Sequence, residues 1–70
     1  MKYVGMKQVL KAVKEGKVNM VYIGKDAEKH IIEDLQKLCK QKGIKITYID
    51  TMKELGKMAG IEVKAATAAD

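Results

Sequence analysis

The run Val18-Asn19-Met20-Val21-Tyr22-Ile23, closed off by Gly16 on one side and Gly24 on the other, constrains this chain more than any other stretch. It is the length of a strand and too short for a helix, and its apolar density is that of a strand covered on both faces. A central strand needs pairing partners and a layer above and below. The flanking sequence offers those layers. Upstream, Met6, Val9, Leu10 and Val13 recur at helical spacing; downstream, Ile31, Ile32, Leu35, Leu38 and Cys39 form a second apolar stripe, with Glu33, Asp34, Lys37, Lys40 and Gln41 on its wet side.

The remaining elements follow from local signals. Met1 to Val4 is expected as a brief strand, and Met6 to Glu15 as a helix stopped by a left-handed Gly16. Asp26 is expected to cap a helix over Ala27 to Lys42 that Gly43 ends. Ile44 to Ile49 reads as a strand. Thr51-Met52-Lys53-Glu54 is a capping box opening a short third helix that ends at Gly60, with Leu55, Met58 and Ala59 pointing inward. Ile61-Glu62-Val63 reads as an exposed turn, and Ala65 to Ala69 as a final strand. Strands alternating with helices predict a three-layer α/β/α sandwich with a small mixed sheet of about four strands, one domain over residues 1–70.

At 70 residues, only about 60% of the unfolded chain's surface is buried, so a deep pocket is not expected. With no Trp or Phe and three Tyr, the core falls to Ile, Val, Leu, Met and Ala. The formal charge is +5, and all fourteen basic residues are lysines. That balance favours an acidic partner, nucleic acid ahead of a membrane, since no apolar run approaches the ~18 residues of a spanning helix. Lysine neutralises phosphate but lacks the planar fork that reads guanine, so the expected binding is led by shape.

Little in the sequence supports catalysis. Serine is absent, and the lone cysteine, Cys39, belongs to a packing stripe. Cys39 and a surface His30 do not make a metal site, and the single glycine of Ile23-Gly24-Lys25-Asp26 is not a phosphate loop. No enzyme activity, metal or cofactor is expected. With one cysteine and no secretory signal ahead of the domain, a reducing cytoplasm is the expected compartment.

The first helix carries the basic character in an ordered form. Lys7, Lys11 and Lys14 follow an i, i+4, i+7 path away from the apolar stripe. Gly5 permits close backbone approach where the first turn leaves N–H groups free for phosphate, and Gln8 offers a donor and an acceptor suited to base edges. Lys25 and Glu28 after the central strand, Lys53 at the third helix start, and Ile61 with Val63 are expected to converge with them.

These residues carry a resemblance that runs nearly end to end. Gly5-Met6-Lys7-Gln8-Val9-Leu10-Lys11-Ala12, Lys25-Asp26-Ala27, Leu38-Cys39 with Lys42-Gly43, and above all Lys53-Glu54-Leu55-Gly56-Lys57-Met58-Ala59-Gly60-Ile61-Glu62-Val63 resemble the kink-turn-binding ribosomal protein family, in particular its short bacterial members of the YbxF type. The resemblance implies an α/β/α sandwich that binds RNA bent at tandem sheared G·A pairs, acting as a monomer on ribosomal, riboswitch or other structured RNA, with no DNA or membrane partner. It implies that Lys7 and Gln8 meet base edges in the major groove, where many relatives carry asparagine and glutamate, and that Lys11 meets phosphate. Glu28 and Ile32 fall where relatives approach a flipped-out nucleotide, with Lys53 as a further basic contact. Ile61, Glu62 and Val63 fall in the loop covering unpaired bases, followed by Lys64 where relatives carry a small residue. The alternative is a basic structural or adaptor protein that touches RNA non-specifically and docks another protein through the Ile61–Val63 turn.

Overall fold

The computed structural model describes all 70 residues. The elements run β1 (Tyr3–Val4), α1 (Met6–Lys14), β2 (Met20–Gly24), α2 (Lys29–Lys42), β3 (Lys45–Ile49), α3 (Met52–Met58) and β4 (Thr67–Ala69). The four strands form one sheet in the order β1-β4-β2-β3, with β2 and β3 parallel and β4 antiparallel to both β1 and β2. The expected mixed sheet and layered architecture are present. The short alanine-rich β4 lies inside the sheet, where its small side chains let helices approach from both faces.

Alternation along β2 divides the apolar residues between two layers. Val21 and Ile23 face α1 and α2, joining Val9, Ala12, Val13, Leu35, Cys39 and Ala69 in the larger core. Tyr22 faces the other way, where Leu55 of α3 packs with Ala65 and Ala68, and Val4, Ile49 and Ile61 close around them. Burial pushes the Cys39 thiol above its ordinary pKa, in keeping with a packing residue.

The helix ends follow their sequence signals in most places. Gly16, Gly43 and Gly60 adopt positive φ beyond α1, α2 and α3, and the Thr51 hydroxyl accepts from the Glu54 N–H at 3.0 Å. Strand β2 begins at Met20 rather than Val18, because the chain first turns back onto α1: the Lys17 N–H donates to the Ala12 carbonyl at 2.9 Å. Met58 does not point inward. It is 52% exposed; Leu55 packs against the sheet instead, and Ala59 is half-buried.

Asp26 is the substantial departure. A turn closed by the Ala27 N–H donating to the Gly24 carbonyl at 3.0 Å intervenes, so α2 starts at Lys29, with Glu28 at the cap position and no side-chain cap. His30 consequently lies in the first turn of α2. The Asp26 carboxylate turns to another helix: its Oδ1 accepts from the Met52 N–H, at the start of α3, at 2.7 Å.

Candidate functional site

Strand direction gathers the predicted residues. β1 and β2 both run antiparallel to β4, so the ends of β1 and β2 flank its beginning. The Gly5 N–H donates to the Thr67 carbonyl at 2.9 Å and the Gly24 N–H to the Ala66 carbonyl at 3.0 Å. On the far side of β2, the Lys25 N–H donates to the Ile49 carbonyl at 2.8 Å. Across this one end of the sheet, the start of α1, the loop leading into β4, the loop from Lys25 to Glu28, and the start of α3 therefore follow one another.

The start of α1 is built around Gly5, at φ +96 and without a side-chain cap. Its carbonyl accepts from Val9 at 3.0 Å, leaving the N–H groups of Met6, Lys7 and Gln8 with no protein partner. Lys7 and Gln8 are exposed there. Lys11 follows one turn along, where two shallow surface depressions meet: one bordered by Tyr3, Gln8 and Lys17, the other by Lys7, Leu10 and Lys14.

Beyond β2, Lys25 Nζ pairs with Asp50 Oδ1 at 3.2 Å, and His30 Nδ1 lies 3.3 Å from Glu28 Oε2. Both pairs are exposed, which makes them weak. Lys7, Lys11, Lys53 and Lys64 form no ion pair, so their ammonium groups are available to an anion. Ile32 is half-buried and packs against the larger core, which removes much of its side chain from any ligand.

The apolar pair of the α3–β4 loop is divided. Ile61 is half-buried on the cluster around Leu55, while Val63 is 68% exposed and Glu62 and Lys64 are exposed beside it. The loop is held by the Ile61 N–H donating to the Gly56 carbonyl at 3.0 Å and the Ala65 N–H donating to the Met52 carbonyl at 3.0 Å. A Cβ on Gly56 would strike the Val63 carbonyl oxygen, and one on Gly24 would come 2.7 Å from Met52 Cγ. These glycines let α3 and its loop lie flush against their neighbours. The contacts of Asp26, Asp50 and Gly24 carry no local sequence signal, since each acts across the chain.

No group of three or more His, Cys, Asp or Glu side chains is placed to hold a metal ion, and no helix is long and apolar enough to cross a membrane. The edge instead combines free helix-start N–H groups, unpaired lysines and one protruding apolar side chain, on an open face of an α/β/α sandwich. Such a combination is the chemistry that suits a large anionic partner met at the surface. The chain belongs to the ribosomal protein L7Ae/L30e/S12e/Gadd45 family, whose sequence pattern matches residues 3–70. An RNA-binding protein of Caldanaerobacter subterraneus is 64% identical over 67 residues, covering 96% of this chain and 82% of that one. The RNA-binding protein YbxF of Geobacillus stearothermophilus is 38% identical over 66 residues, covering 94% and 80%. Among solved structures, the 15.5kD RNA binding protein of Giardia lamblia superposes with a TM-score of 0.86 at 30% identity, covering 94% of this chain and 56% of that one.

Proposed function

We propose that this protein binds structured RNA and recognises the kink-turn, a helix bent at tandem sheared G·A pairs. The observation that carries this reading is the meeting, at one end of the sheet, of the free α1 start, the Lys25–Glu28 loop, Lys53 and the Ile61–Lys64 loop. A kink draws phosphates together and extrudes bases. It therefore suits a face where lysines flank an apolar projection.

In this reading Gly5 lets the RNA approach the α1 start, Lys7 and Gln8 contact base edges at the G·A pairs, and Lys11 contacts phosphate. Lys25, Glu28 and Lys53 border the flipped-out nucleotide, with Ile32 supporting the wall behind it. Val63 covers base faces while Ile61 anchors the loop from within, and Glu62 and Lys64 flank it. Selection is for an RNA that is bent or readily bent. The protein acts as a monomer in a cytoplasmic ribonucleoprotein, without cofactor or catalysis, and residues 1–70 form one RNA-binding domain.

The test is a titration, at moderate salt, of a kink-turn RNA against the same duplex with its G·A pairs replaced by Watson–Crick pairs. Preference for the kink-turn is the expected result. Equal binding would leave a generic lysine face, and no binding to either would favour a protein partner at the Val63 loop.

A further inference from the structure

The main chain of Met52 is held from both sides of the candidate edge. Its N–H donates to Asp26 Oδ1 at 2.7 Å, from the β2–α2 loop, and its carbonyl accepts from the Ala65 N–H at 3.0 Å, from the α3–β4 loop. The Gly24 Cα faces the Met52 backbone with no space for a side chain. Two loops distant in sequence thus share a single peptide segment at the start of α3.

The contact with Asp26 is charge-assisted, and it caps α3 alongside Thr51, whose hydroxyl accepts from Glu54 at 3.0 Å. Meanwhile α2 has no side-chain cap of its own. The Asp26 carboxylate, three residues ahead of α2, is committed instead to a helix on the opposite face of the sheet. From Met52, α3 carries the link onward: Gly56 lies against the Val63 carbonyl and accepts from the Ile61 N–H at 3.0 Å.

We infer that Asp26 is a positioning residue that fixes the α3–β4 loop, and with it Val63, relative to the loop carrying Lys25 and Glu28. The two loops act as one jaw of fixed opening. This inference rests on the proposed RNA site for its consequence, but the coupling is a property of the free protein and is tested there.

The experiment compares Asp26→Ala and Asp26→Asn with the parent chain by amide NMR without RNA, well below the unfolding temperature, with circular dichroism confirming the fold. Asp26→Ala should shift the amides of residues 61–65 as well as Met52. Asp26→Asn, which keeps an accepting oxygen, should restore most of both. Shifts confined to residues 24–28 and 51–54 would overturn the coupling. With RNA, Asp26→Ala should weaken kink-turn binding roughly tenfold, the size of one helix cap, with little change on a plain duplex. Its effect should also be non-additive with Val63→Ala. Equal losses on both RNAs, or additive losses, would overturn the positioning role. A parent chain that shows the NMR coupling but prefers neither RNA would instead refute the proposed site and leave the coupling in place.

Discussion

The Cα of Gly56 faces the carbonyl of Val63 so closely that a single added carbon has nowhere to go. Gly56 is helical, and at an exposed helical position replacing glycine by alanine gains about 0.8–1 kcal/mol. Here the sign should reverse. Gly56→Ala should cost about 1–3 kcal/mol, because a backbone carbonyl must move, and urea unfolding would measure it. A stabilised variant would mean that the loop yields freely. It would also refute the rigid link between α3 and Val63.

Lys7 and Gln8 differ from Lys11 in their place along α1, and the difference is testable. Lys7→Ala or Gln8→Ala should reduce preference for G·A pairs more than general RNA affinity, by about 1–3 kcal/mol for a lost base contact. Lys11→Ala should weaken binding to any RNA and lower the salt dependence by about one phosphate contact. Parallel titrations over a salt series separate these outcomes; equal loss on both RNAs from the first pair would reject base reading.

Val63 is 68% exposed whereas Ile61 is half-buried, so the two should respond differently to a charge. Val63→Asp should fold normally by circular dichroism and lose RNA binding, through both lost apolar contact and repulsion of phosphate. Ile61→Asp should lower the unfolding midpoint, since it drives a carboxylate toward the Leu55 cluster. A Val63→Asp chain that unfolds would make Val63 a core residue.

Cys39 gives a pH signature. Its thiol, pushed up by burial from an ordinary 9.0, stays protonated in the folded chain at a pH where the unfolded chain ionises. The unfolded state then binds fewer protons, so this contribution to stability is complete below pH 9.0 and is lost as pH rises through the folded value. Denaturant unfolding from pH 8 to pH 10 should show a steeper fall for the parent chain than for Cys39→Ala. Matching slopes would mean that the thiol is not buried.

Where one short segment settles the outcome, the sequence was legible. Gly5, Gly16, Gly43 and Gly60 mark ends that the chain obeys, and Thr51 with Glu54 opens α3 as a capping signal should. The stripes of α1 and α2 likewise predicted their buried faces. What stayed hidden depends on contacts across the chain. Asp26 has a helix immediately ahead of it, yet the turn at Gly24 to Ala27 displaces that helix and leaves the carboxylate facing Met52. Met58 follows the apolar spacing of α3, but a seven-residue helix ending at that position does not carry it over the sheet. The candidate edge was legible through the family resemblance and the lysine ladder; the opposite fates of Ile61 and Val63 were not, because only the packing of Leu55 distinguishes them.

The place of β4 inside the sheet also governs when the protein becomes usable. Thr67 to Ala69 pair with β1 on one side and β2 on the other, so the first strand has no partner until almost the whole of this stretch has been synthesised. During translation, α1 with its lysines emerges early, but the surface opposite it cannot close. A chain lacking residues 67–69 leaves β1 without its sheet partner, so the start of α1 is not set beside the other loops of the candidate edge.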